Sequence, residues 1–321
     1  MALWQVVLLL ALFLPGFSRG FELIAHRGVH QTYSRAGLDD RTCTASRIFP
    51  PQHHYLENTI ESIRAAFRYG ADRVEIDVHP TIDGEMVVFH DWTLDCRTDG
   101  TGVTHERTLA YLKSLDIGYG YTADDGETFP FRGAGVGKMP TLQEVLATFP
   151  TGKLIINQKD RSPRTVEILA DIIGERRAAQ RRRLAYWGDP ETYAELKARV
   201  PEIGPNVFHR GTVRSCLVRY GLYGWTGRFP TVCRDLNVVV PARYARYVWG
   251  WPDLLRKRAH SHGSTVTLWV MVDAPEAPAL AMRSRGLDFI MVEQIERYGP
   301  LLRSGREEAS RPTLSAAPTR P

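Results

Sequence analysis

The segment that decides the fold is RVEIDVHPTIDGEMVVFHD, residues 73–91. Its first part, Arg73–Val78, is a β-rich run whose side chains would alternate between two faces of a strand. A short connection containing Asp83-Gly84 separates it from a second apolar run, Met86–Phe89. Such a short link joins antiparallel strands, because a parallel crossover needs about a dozen residues or more. The segment therefore predicts a β-hairpin.

Outside this hairpin, short β-rich runs alternate with helical stretches. This alternation indicates βα units on a parallel sheet, and eight such strands predict an α/β fold of the (β/α)₈ TIM barrel type. Met86–Phe89 is then an added strand beside the barrel mouth, and two polar insertions, Val29–Tyr55 and about 95–139, are expected as loops over the same end. The predicted barrel strands are Leu23–Ala25, Arg73–Val78, Leu154–Asn157, Leu184–Trp187, Val207–Phe208, Leu236–Val240, Val266–Val270 and Phe289–Val292. The predicted helices include Thr59–Tyr69, Leu142–Thr148, Arg164–Arg177, Glu191–Arg199 and Pro252–His262.

The composition is that of a globular protein with a sizeable core, at 43% hydrophobic and 24% charged residues. It excludes global disorder, collagen-like structure and a coiled coil. A net charge of +5 is too small and too dispersed to indicate a nucleic-acid partner. We expect one barrel domain over residues 21–303.

The two ends of the chain differ from this domain. Val6–Leu14 is an apolar run of about half the roughly 20 residues that a membrane-spanning helix needs, and Ser18-Arg19-Gly20 supplies small residues before Phe21. Residues 1–20 are therefore predicted to be a signal peptide, with an uncleaved N-terminal anchor as the alternative because no Lys or Arg precedes the run. Both predict an exported protein, secreted or periplasmic. Residues 304–321 have too few large apolar side chains to order themselves and predict a disordered tail.

Four cysteines are too few for a scaffold built on disulfides, yet disulfides persist outside the cytoplasm. Cys216 and Cys233 are close in sequence, and Cys43 and Cys96 lie in two polar stretches. These are the two pairs that we predict, although four cysteines allow three connectivities. Four free buried thiols are the alternative.

Two carboxylates mark the strand Arg73–Val78 as a candidate site. Glu75 and Asp77 share one face of this otherwise apolar strand. Burial of both is costly unless a partner compensates their charge, and a hard cation such as Ca²⁺ or Mg²⁺ would do so through oxygen ligands. The alternative is a surface edge strand with solvated acids or acids paired with arginines.

Three polar motifs lie near predicted strand or helix ends. His26-Arg27-Gly28 follows the first strand, where a histidine could transfer protons and an arginine could hold a phosphate. His90-Asp91 ends the hairpin strand, so a second histidine could face the first. Glu57-Asn58-Thr59 opens a helix that Asn58 could cap. A simple turn or cap would explain each motif taken alone.

Taken in order, these motifs resemble the glycerophosphodiester phosphodiesterases. The resemblance covers most of Leu23–Glu293 and is most specific before Lys159. It is carried by His26-Arg27-Gly28, Glu57-Asn58-Thr59, Glu75-Ile76-Asp77-Val78, Asp83-Gly84, Val87-Val88-Phe89-His90-Asp91, Met139-Pro140-Thr141-Leu142 and the strand Leu154–Lys159. It is fainter in Thr267-Leu268-Trp269-Val270 and Gly286-Leu287-Asp288-Phe289-Ile290.

The resemblance implies a barrel phosphodiesterase with one divalent cation, Ca²⁺ or Mg²⁺. It implies a metal site, a pair of histidines as general acid and base, two basic side chains that bind the substrate phosphate, and two supporting residues. By matching motifs these are Glu75 and Asp77 for the metal, His26 and His90 for proton transfer, Arg27 and Lys159 for the phosphate, and Glu57 and Trp269 as support. A packed barrel-core tryptophan is the alternative for Trp269.

This chain departs from the family pattern at the strand that usually reads Glu-x-Lys, where it has Asn157-Gln158-Lys159. Asn157 would still face the metal beside Lys159, but an amide oxygen brings no negative charge. We therefore expect the site to survive with a weaker affinity for the cation. Glu293, where the family usually has Asp, is a smaller change.

The resemblance implies hydrolysis of a glycerophosphodiester to an alcohol and glycerol phosphate, an activity of lipid metabolism. One alternative is a lysophospholipase D or sphingomyelinase D-like activity on lipid head groups, and another is a weakly active or inactive relative that binds phosphodiesters. The expected partner is a small-molecule or lysolipid phosphodiester. A membrane surface remains open because of the aromatic stretch Tyr244–Trp249, which is equally typical of a helix packed on the barrel. The sequence makes no prediction of oligomeric state.

Overall fold

The computed structural model describes residues 21–38, 42–271, 280–281, 283–284 and 286–310. The segment predicted as a signal peptide or anchor, 1–20, lies outside the described residues, as do 311–321 of the predicted tail. The strands are β1 (Glu22–Ala25), β2 (Arg73–Pro80), β3 (Met86–Val88), β4 (Lys153–Gln158), β5 (Leu184–Trp187), β6 (Asn237–Pro241), β7 (Thr265–Val270) and β8 (Phe289–Val292). The α-helices are α1 (Ile60–Arg68), α2 (Leu109–Ser114), α3 (Leu142–Thr148), α4 (Pro163–Gly174), α5 (Ala178–Arg181), α6 (Pro190–Arg199), α7 (Arg210–Tyr223), α8 (Ala242–Ala245), α9 (Asp253–His260) and α10 (Ile295–Ser310).

Seven parallel strands form a curled sheet in the order β5-β4-β2-β1-β8-β7-β6, with helices between them along the chain. Residues 204–207 continue the sheet beyond β5, because the Val207 backbone N–H donates to the Tyr186 carbonyl at 2.7 Å. On the other side the Asn237 side chain donates to the Val207 carbonyl at 2.9 Å and so connects this segment to β6. The TIM-barrel-like α/β fold is confirmed.

One predicted strand is wrong. Val207–Phe208 does not form a regular strand, because the only ladder contact of this segment is a single bridge between Tyr186 and Asn206. Pro205 lacks a backbone N–H, and the side chain of Asn237 takes the place of a backbone partner from β6. The eighth position of the barrel is therefore an extended segment.

The predicted hairpin is confirmed. β3 pairs antiparallel with β2, with Val78 opposite Val88 and Pro80 opposite Met86. β2 also pairs in parallel with β1 and β4 and is therefore a strand of the barrel wall. One face of β2 lies toward the barrel axis, and the hairpin begins at the carboxyl end of this strand. This places the end of β3 beside the carboxyl ends of the barrel strands.

The described residues form three hydrophobic clusters, of which two are large. The larger lies between the strands and the surrounding helices and includes fully buried Val74, Ile76 and Ile156. The smaller contains residues of both insertions, such as Tyr33, Leu94 and Phe131, packed against Val87 and Phe89 of the hairpin. The insertions therefore form a packed layer next to the barrel mouth.

Both predicted disulfides are present, Cys43–Cys96 and Cys216–Cys233. The first joins the two insertions to each other, and the second joins α7 to the segment before β6. Paired cysteines are typical of proteins in oxidising compartments and suggest an extracellular environment.

The disulfides should differ in what they add to stability. They close loops with sequence separations of 53 and 17 residues. Because a longer loop loses more entropy in the unfolded chain, serine at Cys43 and Cys96 should lower the free energy of unfolding by about 4 kcal/mol. Serine at Cys216 and Cys233 should lower it by about 3 kcal/mol. Urea denaturation of the two double variants measures this, and a larger loss for the shorter loop would contradict the expectation.

Helix α10 extends through residues 304–310, which composition assigned to the tail. Among the described residues, no helix has both the length and the apolar character to cross a membrane.

Candidate active site

The carboxyl ends of four barrel strands and the end of the hairpin bring the predicted polar residues together. His26 follows β1, Glu75 and Asp77 lie in β2, and Asn157 lies in β4. In a parallel barrel the side chains at this end meet at one mouth. Lys159, Glu293 and His90, which follow β4, β8 and β3, complete the group.

Glu75 and Asp77 form the centre of the site, and both side chains are fully buried. The Asn157 amide nitrogen donates to Glu75 Oε1 and to Asp77 Oδ1, each at 2.9 Å. Lys159 Nζ lies 2.9 Å from Asp77 Oδ1. Asn157 and Lys159 thus lie against the two acids, with the nitrogen of the Asn157 amide, rather than its oxygen, toward them.

The two carboxylates have opposite pKa shifts. Burial raises the pKa of Glu75 to about 8, and the nearby charge of Asp77 adds to the rise. Burial acts the same way on Asp77, but the charges of Lys159, His90 and Arg27 outweigh it and hold the pKa of Asp77 well below its usual value. Without a further positive charge beside it, the pair therefore keeps one proton near neutral pH.

This donor set fits a hard divalent cation. Two buried carboxylates on one strand face, one of which keeps a proton for want of positive charge, offer the oxygen ligands that Ca²⁺ and Mg²⁺ prefer. Asn157 lies against both acids and could supply an amide oxygen after rotation of its side chain. Another buried group, His26, His30 and Glu293, has ligand atoms within 4.8 Å of one another.

The turn after β1 places Arg27 against these acids. Arg27 and Gly28 have positive φ angles of 56° and 77°. A Cβ at Gly28 would lie 2.3 Å from Ser62 Oγ, so only glycine fits this turn. The turn directs the Arg27 backbone N–H to Glu75 Oε2 at 3.1 Å and its guanidinium to Asp77 Oδ2 at 3.6 Å.

His26 lies between two carboxylates. Its Nε2 is 3.8 Å from Glu75 Oε2, and its Nδ1 is 3.3 Å from Glu293 Oε2. Glu293 Oε2 also contacts His30 Nε2 at 3.1 Å, and the Trp269 indole donates to Glu293 Oε1 at 3.2 Å. Burial lowers the pKa of His26 more than Glu293 raises it, so the ring is neutral near pH 7.

His90 has a similar carboxylate partner, Asp91, whose Oδ1 lies 2.6 Å from His90 Nδ1. Burial lowers the pKa of His90 to about 4, and the charges of Arg27 and Lys159 add to the fall. In His90, the hydrogen bond of Nδ1 to Asp91 favours the tautomer that leaves Nε2 free to accept a proton, and the charge of Glu293, 3.3 Å from His26 Nδ1, favours the same tautomer there. Both histidines also lie close enough to Asp77 to lower its pKa.

Arg97, which sequence reasoning missed, connects the two sides of the site. This buried side chain lies 3.0 Å from Glu57 Oε2 and 2.8 Å from Asp91 Oδ2, and it also donates to Tyr121 and Thr44. Glu57 Oε1 in turn lies 3.3 Å from the Arg27 guanidinium. Arg97 thus holds the partners of both His90 and Arg27.

Asn58 has a different contact from the predicted one. The side chain that caps α1 is Thr59, whose hydroxyl accepts from the Ser62 backbone N–H. The Asn58 amide instead donates to Asp77 Oδ2 at 2.9 Å and accepts from the Asp77 backbone N–H at 3.1 Å. The suggestion that Asn58 caps this helix is therefore wrong, because the hydroxyl one residue later does so.

Three aromatic rings border the site at His26. The rings of Trp187 and Trp269 have centroids 6.3 and 5.4 Å from that of His26. Phe208 lies 4.6 Å from Trp187 and 6.2 Å from Trp269 by the same measure. Trp269 is therefore next to the site, as the motif implied, whereas Trp187 and Phe208 lack a motif that would have identified them.

Comparisons with known proteins identify the family of this chain. The model of the glycerophosphoryl diester phosphodiesterase family matches residues 26–190, just over half of the chain. A glycerophosphodiester phosphodiesterase from Caldanaerobacter subterraneus subsp. tengcongensis is 39% identical over 106 residues, which are 33% of this chain and 40% of that protein. Glycerophosphodiester phosphodiesterase 1 of Homo sapiens is 37% identical over 95 residues, 30% of this chain and 27% of that protein. The chain thus spans less than half the length of these curated relatives.

Solved structures show the same fold at low sequence identity. The glycerophosphoryl diester phosphodiesterase domain of an uncharacterized protein from Mycobacterium tuberculosis has a TM-score of 0.60 and 17% identity, covering 87% of this chain and 98% of that chain. An Oleispira antarctica phosphodiesterase in complex with the product sn-glycerol-3-phosphate has a TM-score of 0.58 and 20% identity, covering 88% and 96%. With the family match over the site-bearing half, the chain belongs to the glycerophosphoryl diester phosphodiesterase family.

Proposed function

We propose that this protein hydrolyses a glycerophosphodiester, such as glycerophosphocholine or glycerophosphoinositol, to an alcohol and glycerol phosphate. The observation that carries the proposal is the convergence of two imidazoles on one pair of buried acids. His26 Nε2 lies 3.8 Å from Glu75 Oε2, and His90 directly follows Phe89, whose backbone N–H donates to the Asp77 carbonyl at 3.0 Å. Family membership and the product-bound relative support the substrate class.

Members of this family generally depend on a divalent metal. Glu75 and Asp77 would hold it, with Asn157 as a neutral third ligand, and either Ca²⁺ or Mg²⁺ suits these oxygens. When bound, the cation would neutralise charge that develops on the phosphoryl oxygens.

The protein's own residues would bind the substrate and move two protons. Arg27 and Lys159 would orient the phosphate, and Glu57 holds the Arg27 guanidinium in place. One histidine takes the proton from the attacking oxygen as the new P–O bond forms. The other gives a proton to the leaving alcohol as its P–O bond breaks. The attacker is water, or a neighbouring hydroxyl that first gives a cyclic phosphate for later hydrolysis.

The partners of the two histidines support this assignment. Asp91 at His90 Nδ1 and Glu293 near His26 Nδ1 would favour one tautomer of each ring, and His26 Nε2 lies 3.8 Å from Glu75 Oε2. Both rings are neutral near pH 7 and can accept a proton. Trp187, Phe208 and Trp269 would form an apolar wall beside the scissile group.

A panel of phosphodiesters assayed with and without chelator tests the activity. Glycerophosphocholine and glycerophosphoinositol should yield an alcohol and glycerol phosphate, and chelation should stop the reaction. Lysophosphatidylcholine assayed beside them separates a lysophospholipase D or sphingomyelinase D-like activity from this one. Turnover of the lysolipid alone, or of no substrate under any condition, would contradict the proposal.

The asparagine at position 157 predicts a weak cation site. Asn157→Glu should lower the Kd for Ca²⁺ or Mg²⁺ at least about tenfold, because a third carboxylate adds negative charge to the ligand set. Asn157→Gln has the length of glutamate without its charge and should not tighten binding. Isothermal titration calorimetry measures both variants. No binding heat with wild type and no gain with Asn157→Glu would favour a phosphodiester-binding relative that holds no metal.

We further propose that the protein is exported and works outside the cytoplasm, as a secreted or periplasmic enzyme. The two disulfides support this location.

A further inference from the structure

One region of the chain has a larger net positive charge than the whole chain. Residues 210–258 contain ten Lys or Arg and two Asp or Glu, whereas the whole chain has a net charge of only +5. The rest of the protein is therefore slightly acidic. Among the side chains described in this region, Arg214, Arg219, Arg243 and Arg246 are exposed. A separation of charge of this kind indicates a binding surface for an anionic partner.

The same region exposes an unusual set of large apolar side chains. Of the fifteen exposed large hydrophobic residues among those described, eight fall within 218–254. Trp225 and Tyr247 are 67% and 65% exposed, and Leu222 is 60% exposed. Single exposed apolar residues are normal on a soluble protein, but a cluster of this kind marks an interaction site.

Hydrogen bonds bring the two parts of this cluster together. Val218, Leu222 and Trp225 lie on one exposed stripe that begins in α7, with the i, i+4, i+7 spacing of a helix face. The Trp249 indole donates to the Gly221 carbonyl at 3.0 Å, and Tyr220 donates to the Trp249 carbonyl at 3.1 Å. The aromatic–basic face is defined by Val218, Leu222, Trp225, Tyr244, Tyr247 and Trp249, together with Arg214, Arg219, Arg243 and Arg246.

A disulfide and a hydrogen bond attach the aromatic–basic face to the rest of the protein. The Cys216–Cys233 disulfide and the Arg258 guanidinium, which donates to the Gly224 carbonyl at 2.6 Å, attach it to the barrel wall. The side chains of Tyr244, Tyr247 and Trp249 are each about half exposed or more. This stretch is therefore not simply a helix packed on the barrel. Arg243 and Arg246 each stack over a tyrosine ring of the face, with 4.7 Å from guanidinium carbon to ring centroid.

We propose that the aromatic–basic face binds the surface of a membrane that contains anionic lipids. Tryptophan and tyrosine have an apolar body and a polar edge, and they favour the interface between lipid and water. Leu222 and Val218 would enter the outer acyl region, and the arginines around them would contact lipid phosphates. This proposal is independent of the proposed hydrolysis, because the face contains none of the active-site residues.

Two observations favour lipid over single-stranded nucleic acid, which also binds arginines interleaved with aromatic rings. The aliphatic side chains Val218, Leu222 and Leu254 are exposed among the rings, and they offer nothing to stack on bases. The two disulfides suggest an extracellular environment, which is separate from the nucleic acid inside the cell.

Co-sedimentation of the full chain with phosphatidylcholine vesicles, with and without phosphatidylglycerol, tests the proposal. Affinity should rise with phosphatidylglycerol and fall with added salt. Arg243→Glu with Arg246→Glu should weaken binding to the anionic vesicles about tenfold or more, since each basic residue near the surface contributes. Trp225→Ser with Tyr247→Ser should also weaken binding, because less apolar surface enters the interface.

A matched pair of arginines controls for general charge. Arg177→Glu with Arg182→Glu makes the same charge change on another exposed surface and should leave vesicle affinity within about twofold of wild type. Hydrogen exchange should show vesicle-dependent protection in 218–226 and 244–249. An equal loss in both arginine pairs, or no protection in these segments, would overturn the proposal. So would tighter binding to a single-stranded oligonucleotide, or a dimer in solution that Trp225→Ser with Tyr247→Ser dissociates.

Discussion

Alanine at His26 or at His90 is expected to lower kcat for glycerophosphocholine by about 10²–10⁴-fold, because each ring transfers one proton in the proposed reaction. Neither histidine can take over the proton transfer of the other, because the two rings are held in different places. His26 lies between Glu75 and Glu293, whereas His90 is held by Asp91 on the hairpin side. The two single variants should therefore each lose nearly all turnover.

His54→Ala is the matched control, since His54 is an exposed histidine in the first insertion. Its activity should equal that of wild type. Circular dichroism and the midpoint of urea unfolding show whether the inactive variants keep their fold. Turnover like that of wild type in folded His26→Ala or His90→Ala would refute the assignment of the acid and base.

Arg97→Met is expected to lower the free energy of unfolding by about 3–5 kcal/mol, because it removes the buried guanidinium that pairs with both Glu57 and Asp91. It should also lower kcat/KM at least about tenfold, since Asp91 no longer holds His90 firmly. Arg97→Lys keeps the charge but not the planar guanidinium that reaches both carboxylates. Its free energy of unfolding and its kcat/KM should therefore lie between those of Arg97→Met and wild type.

The pH profile separates positioning from simple stability. Arg97 helps to hold the pKa of Asp91 well below its usual value. Without that charge Asp91 takes up a proton at higher pH, so the acid limb of kcat/KM should move to higher pH in Arg97→Met. Arg132→Lys, an exposed arginine stacked on Phe129 in the same insertion, is the control and should change stability by less than about 0.5 kcal/mol. An unmoved acid limb in Arg97→Met would mean that Arg97 is structural only.

Much of the barrel could be predicted from local patterns. Leu184–Trp187 and Phe289–Val292 are compact apolar runs, and the structure gives both strands the predicted bounds. The period of two in β2 correctly placed Glu75 and Asp77 on one face, because side-chain alternation in a strand depends only on the backbone. Helix α7 was not predicted, since its exposed Val218 and Leu222 obscure the usual separation of apolar and polar faces.

The connections within the site could be predicted only in part. The order of the motifs predicted that His26, Glu75, Asp77 and His90 share one site. In the structure these residues lie at the same mouth of the barrel. The contact between His26 and Glu293 joins residues that are far apart in the chain, and no local pattern encodes it. The role of Arg97 depends on how two insertions pack, which periodicity does not specify.

Phosphorus NMR of glycerophosphocholine with the purified protein tests the central claim most directly. After dialysis against chelator the phosphodiester signal should stay unchanged. Addition of Mg²⁺ or Ca²⁺ should convert it to a phosphomonoester signal of glycerol phosphate, and the His26→Ala protein should give none. Conversion by His26→Ala at the rate of wild type, or an unchanged phosphodiester signal with every cation, would contradict the account.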